Sequence, residues 1–375
     1  MYKLSAVKVV RHKLRRLRKK AAKLFHVSAP PVRCDLLRHV AIAAGGKVNT
    51  RQLGRDYQYS LPTRGSASVM AWLDQFSQVR FNEEICCQFP SGRVVGPGVI
   101  LSPDGSTVAR DVSIDFGASA ETHWLLRRKG IPVARQLNGD VASVATRSGD
   151  TYYHWLLEEL PRFVAAVARG HDTIIGHSKL FGSLPEALGF RGKLIDAGAG
   201  HHYRCERLTV ESLHGMTGNP TPEVVEIIRG VGARMSGPSL RLGERIFISR
   251  ANAAVRRLTN EDLIWPKLQA LGFRRLILEA MPWHEQIEAF SQARVVVAPH
   301  GAGLANLAFC TRDARVVELF HPRYMNLCFW QLAAVCKLDY RPVVGSGTGP
   351  LRNDPGHKTS DISVDWAMIA AALGD

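Results

Sequence analysis

Residues 295–298 are apolar and mostly β-branched, and Pro299 and His300 end the run. Such residues suit a buried strand. Gly301, Ala302 and Gly303 then open a stretch whose Leu304, Leu307 and Ala308 fall at helical spacing. Strand, glycine turn and helix start, in that order, present backbone N–H groups at the positive end of a helix dipole, a chemistry that holds anions. Cations and carboxylates recur where neighbouring strand-like runs end. Arg250 ends "ERIFISR", Arg256 and Arg257 follow, and Asn260 and Glu261 open a helical stretch. Glu279 ends "RRLILE", and Glu318 lies in "ARVVELF". Arginine and backbone N–H groups suit a diphosphate, and a carboxylate accepts ribose hydroxyls. The expected anion site is therefore Arg250, Arg257, Asn260, His300, Gly301, Ala302, Gly303, Leu304 and Glu318. His300 either adds a donor or holds the loop, and Asn306 is expected to bond backbone near the helix start.

A second constellation lies in "TYYHWLLEELPRF", residues 151–163. In a helix, His154 and Glu158 are i and i+4 and point the same way. Leu156, Leu157 and Leu160 supply packing, and Pro161 ends or kinks the helix. The pair is suited to taking a proton from a hydroxyl, by Glu158 itself or by His154 oriented by Glu158. The plainer alternative is a solvated ion pair on a helix surface. His201 and His202 receive no role.

Both constellations need elements to position them. Short β-like runs dominate residues 90–147, among them "VVGPGVIL", "TVARDVSIDF" and "VASVATR". A helix over 151–170 follows, then strand 172–176, helix 184–190 and strands 193–198 and 207–213. A helix between Pro/Gly-rich ends, within 216–238, marks a domain boundary. Beyond it strands 244–250, 274–279, 294–299 and 314–320 alternate with helices 260–273, 282–293, 303–309 and 324–337, and a last helix closes the chain. Strands alternating with helices predict parallel βαβ units in a doubly wound sheet, whose ligands sit beyond the carboxyl ends of the strands. The expected division is residues 1–27 as a basic helix or tail, 28–220 as an N-terminal α/β domain, and 221–375 as a C-terminal Rossmann-like domain. The last helix is a candidate to pack back on the N-terminal domain.

Composition bounds the function classes. The 375-residue chain is 46% hydrophobic and 22% charged, the balance of a soluble globular protein. Its apolar runs are too short to span a bilayer. Seven scattered cysteines without C-x-x-C fit reduced thiols and a cytoplasmic setting. Of the net charge of +16, residues 1–25 supply ten Lys and Arg and no acid. Val7, Val10, Leu14, Leu17, Ala21 and Leu24 give that segment an apolar stripe, with no signal-peptide core behind it. A basic amphipathic helix suits an anionic membrane surface, and no nucleic-acid partner is expected because the body lacks a matching basic, aromatic motif. "GAGLAN" departs from the dinucleotide fingerprint and no acid follows about twenty residues on, which leaves an NAD-dependent Rossmann oxidoreductase as an alternative. A non-catalytic nucleotide-sugar or polyanion binder is another.

Three motifs, "TYYHWLLEELPRF", "ISRANAAVRRLTNEDLI" with "LGF", and "VVVAPHGAGLANLAFC" with "VVEL", resemble glycosyltransferase family 61, whose bacterial members are described as capsular polysaccharide biosynthesis proteins. The resemblance implies a GT-B architecture of two Rossmann-like domains facing a cleft. It implies a nucleotide-sugar, UDP-linked in expectation, in the C-terminal domain, and a surface polysaccharide or glycolipid precursor as acceptor mainly in the other. It also implies inversion without a required metal or other cofactor, and the basic segment 1–25 adds the expectation of a peripheral place on the inner face of the membrane. The absence of D-x-D from the chain agrees with metal independence.

Overall fold

The computed structural model describes residues 28–114, 123–235, 242–346, 352 and 354–374. The basic segment 1–27 lies outside them, so the helix expected there is not described. Two α/β units carry the site, each built on its own sheet. The N-terminal sheet has ten strands. Its parallel part sets His202–Glu211 beside Arg135–Ser143, then Thr173–Gly176, then Lys193–Asp196. Antiparallel strands Glu84–Pro90 and Arg93–Val95 pair the other edge of His202–Glu211. The run expected as one strand over 94–101 is broken at Gly96 and Gly98, which turn the chain at positive φ into Val99–Leu101. Of the strand expected over 107–116, Thr107–Ala109 forms and residues 110–114 do not join it, while 115 and 116 lie outside the described residues.

The C-terminal sheet is parallel throughout and has five strands. Arg245–Ile248 lies between Arg274–Leu276 and Val295–Pro299, and Arg315–Phe320 and Asp339–Val344 follow. In chain order this is 2-1-3-4-5, a doubly wound sheet whose order reverses between its first and third strands. Asp339–Val344 is an addition to the expected set. Pro342 breaks its β-like appearance and is tolerated because the strand pairs on one side only.

Helix Pro222–Met235 begins just past the expected boundary at residue 220 and packs against elements of both units. One apolar cluster runs through both, from Tyr59 and Val69 through Trp155 and Phe163 to Phe309, Trp330 and Tyr340. The two sheets therefore share a core. The last helix, Trp366–Leu373, packs on its own sheet, and Arg64 reaches Gly374 O from the N-terminal unit. Among the described residues no helix is long and apolar enough to cross a membrane.

Candidate active site

Where the strand order reverses, loops leave neighbouring strands in opposite directions and open a crevice at their carboxyl ends. Arg250 leaves the first strand there, and His300 and Gly301 leave the third. Gly301 has an extended φ of −178°, so its need for glycine is not conformational. A Cβ on it would collide with Arg250 Nη1, so the guanidinium sits close beside this residue. At Gly303 a Cβ would stand 2.5 Å from Leu278 Cδ1. A side chain at either position would therefore displace Arg250 or Leu278 from its place against the loop.

Arg250 Nη2 donates to Val255 O (2.9 Å) and Nε to Arg256 O (3.2 Å). Burial, and then the charge of Arg256, hold its pKa below the usual guanidinium value, and an anion beside it would offset both. Arg256, rather than Arg257, reaches the glycine loop. Its left-handed backbone (φ 55°) sends Nε to His300 O (3.0 Å) and Nη1 to Lys358 O (2.6 Å). Arg257 turns outward and pairs with Asp361, and Asn260 bonds the backbone of Val364 through Nδ2 (2.9 Å). Two of the expected anion ligands are therefore engaged by the C-terminal segment.

The expected helix after the loop is a 3₁₀ helix, Ala302–Phe309. Residues 304–309 are all buried between helices Pro222–Met235, Trp283–Gln292 and Cys328–Cys336. The narrow 3₁₀ form, with Ala302, Gly303, Ala305 and Ala308, fits that space. Its first bond runs from Leu304 N to Gly301 O (2.9 Å). Leu304 therefore leaves the expected donor set, and Gly301, Ala302 and Gly303 carry the N–H groups that precede the helix ladder.

Glu318 is fully buried inside the sheet. Its Oε1 meets His300 Nδ1 (2.5 Å) and its Oε2 accepts from the Tyr340 hydroxyl (2.6 Å). Positioned so, it has no surface from which to reach a ribose. It holds the His300 ring, which also packs on Phe320, Tyr324 and Phe329.

The N-terminal constellation opens the helix that crosses from Arg135–Ser143 to Thr173–Gly176, at the carboxyl edge of its sheet. Pro161 neither ends nor breaks this helix. The chain passes from Tyr152–His154 through a π turn, Trp155–Glu159, into Leu160–Ala168. Pro161 lacks an N–H and crowds the carbonyl four residues back, and widening the preceding turn relieves both problems. The wide turn also separates two adjacent glutamates. Glu158 Oε1 accepts from His154 Nδ1 (2.9 Å), the Thr217 hydroxyl (2.7 Å) and Gly218 N–H (3.1 Å). Burial pushes its pKa up, but these partners, His154 first, outweigh that and hold the carboxyl below its ordinary range. Glu159 faces away, wholly buried, and accepts from Thr146 N–H (2.7 Å) and His177 Nδ1 (2.6 Å). The pair expected on a surface or a cleft wall is thus largely buried: His154 keeps 19% of its side chain exposed and Glu158 8%.

The two constellations touch. Tyr152 donates to Asn306 Oδ1 (2.5 Å) and accepts from Trp283 Nε1 (2.7 Å), while Asn306 Nδ2 reaches Gln286 (3.0 Å). Asn306 therefore bonds side chains rather than loop backbone. Phe329 packs on both Tyr153 and His300. Thr217 also lines a cavity of about 500 Å³, together with Arg38, Arg80, Asn82, Glu83 and Asp111 among others. Sequence reading missed Thr217 and Gly218, and it noted Arg256 beside the strand end but left it out of the expected anion site. Thr217 and Gly218 lie some sixty residues from Glu158 with no local signal, and Arg256 is indistinguishable by type from its neighbour. Among the described residues no group of three or more His, Cys, Asp or Glu is placed to hold a metal ion.

Residues 152–317 match the family model described as Glycosyltransferase 61. The matched span carries His154, Glu158, Arg250 and the glycine loop, and it supports a glycosyltransferase, an enzyme that binds a sugar donor and an acceptor. No curated protein matches the chain.

Proposed function

We propose that this protein is an inverting, metal-independent glycosyltransferase that moves a sugar from a UDP-linked donor to a hydroxyl of a surface polysaccharide or glycolipid precursor. The observation that carries the reading is the close approach of Arg250 to Gly301, at the start of the glycine loop and at the crevice of a doubly wound sheet, inside the span that matches the family model. Such a site suits the diphosphate of a donor. The architecture we infer is of the GT-B type, with the donor on the C-terminal sheet and the acceptor on the N-terminal one. His154, oriented by Glu158, takes the proton of the acceptor hydroxyl. The freed oxygen attacks the anomeric carbon from the face opposite the diphosphate, the bond from that carbon to the diphosphate breaks, and its electron pair leaves with UDP. Arg250 and the N–H groups of Gly301 to Gly303 receive the developing charge. The cavity beside Thr217 is the inferred acceptor side, because its wall shares a residue with the carboxylate that holds His154.

Arg250→Ala removes a charge-assisted contact worth about 1.5–3 kcal/mol, so UDP affinity should fall roughly ten- to a hundredfold by calorimetry. Release of UDP from the donor should persist in EDTA. Thermal stabilisation by NAD and not by UDP would turn the reading to an oxidoreductase, and UDP-sugar binding without any turnover would leave a binder.

We further place the enzyme on the cytoplasmic face of the membrane through residues 1–25, on the strength of their ten cations. Full-length protein should sediment with anionic vesicles at low salt, and more weakly as the Debye length shortens from about 10 Å at 0.1 M to about 3 Å at 1 M. Deleting residues 1–25 should abolish sedimentation without changing UDP affinity. Sedimentation that survives the deletion removes the tail from this role.

A further inference from the structure

The arginine loop already holds an anion, and the protein itself supplies it. Asp361 accepts from the backbone N–H of Arg257 through Oδ1 (2.9 Å), and from Arg257 Nη2 (2.7 Å) and Nε (3.1 Å) through Oδ2. Its carboxyl is held below the usual range by Arg257 first, with the charge of Arg250 adding to the effect. The segment that carries it is anchored by apolar burial. Ile362 bridges Leu258 and exchanges backbone bonds with Arg257 and Thr259, and Val364 is fixed by Asn260. Ile362 and Val364 are buried in the cluster that contains Phe247, Leu258 and Val343. The anchor is therefore firm, whereas the ion pair lies toward solvent, with Arg257 55% and Asp361 25% exposed.

We propose that Asp361 is an internal counter-anion that holds Arg257 turned away from the glycine loop and releases it to the diphosphate of the donor, thereby setting donor affinity. This rests on the diphosphate reading given above. An exposed ion pair is weak, while a diphosphate brings more charge and several acceptor oxygens to the same guanidinium. Asp361 and a diphosphate placed together on one loop would repel each other. Only the Oδ2 contact has to break. Ile362 and Val364 keep the backbone in place, and Oδ1 retains the Arg257 N–H.

The test uses the full-length chain with UDP as the probe in calorimetry. Asp361→Asn keeps an acceptor for the Arg257 N–H and removes the charge, so UDP should bind roughly two- to fivefold more tightly, the strength of an exposed pair. Asp361→Ser serves the same purpose should the asparagine variant fail to fold. In Arg257→Ala the further change Asp361→Asn should bring no gain. Unchanged or weaker UDP binding in the Asp361 variants, alongside loss of binding in Arg250→Ala, overturns the counter-anion while leaving the diphosphate site standing. An equal gain with and without Arg257 overturns it as well. Full UDP affinity in Arg250→Ala, or no UDP binding by the wild type and the Asp361 variants, means that the diphosphate reading itself has failed.

Discussion

Replacing His154 by glutamine is expected to lower the rate of sugar transfer by about 10²–10⁴ while leaving UDP affinity unchanged. The donor contacts lie on the other sheet, and Glu158 keeps its bonds to Thr217 and Gly218 in the variant. The assignment follows from how Glu158 is held. Glu158 Oε1 already accepts from three donors, and its carboxyl is held below the ordinary range despite its burial, because His154, Thr217 and Gly218 stabilise the ionised form. A carboxylate so engaged is a weak base. It is well suited to accept the Nδ1 proton of His154 and leave the basicity of the imidazole on Nε2. Glu158→Gln should therefore cost turnover through His154 and by less than His154→Gln does. Initial rates of UDP release from a UDP-sugar, with binding measured separately, decide the matter. Loss in Glu158→Gln with retention in His154→Gln would make the glutamate the base, and retention in both would make the constellation structural.

The neighbouring glutamate should behave quite differently. Gly149→Ala and Glu159→Gln are each expected to destabilise the fold by about 3–5 kcal/mol, the usual cost of breaking a buried charged pair. A Cβ on Gly149 would collide with the Glu159 carboxylate and with His177 Nδ1. The glutamine variant would instead leave Arg162 short of a countercharge. That arginine is buried beside Glu158 and Glu159, whose charges oppose the drop in its pKa that burial causes. Urea unfolding should show the loss in both variants. Wild-type stability in both would mean that the Glu159–His177 pair carries no net stabilisation. A fall in turnover without a fall in stability would instead move Glu159 into the chemistry.

Local pattern alone determined most of the C-terminal half. Strands at 245–248, 274–276, 295–299 and 315–320 stand inside the expected runs, because alternation of apolar segments with amphipathic ones is a property of neighbours in the chain. The same holds for the strand–glycine turn at Gly301 and for Arg250 at a strand end, since strand direction puts both at the carboxyl edge. Pro342 concealed the fifth strand, whose edge position is a fact of the sheet. At Pro161, where a kink or an end was the local expectation, the helix continues to Ala168 through a widened turn at Trp155–Glu159. The identity of each charge's partner was decided only by the tertiary structure. Arg256 and Arg257 are adjacent and alike, and a left-handed φ at the first turns one inward and the other out. Glu318 reads in the sequence as a ligand contact at a strand end, but it lies within Arg315–Phe320, and the neighbouring strand brings Tyr340 to it and closes the space. Tyr152 meets Asn306 across 154 positions and Arg257 meets Asp361 across 104. Periodicity records which face of an element must be buried, a short-range constraint. Pairing between distant polar groups depends on how the sheets turn the chain back on itself, and no local pattern carries that information.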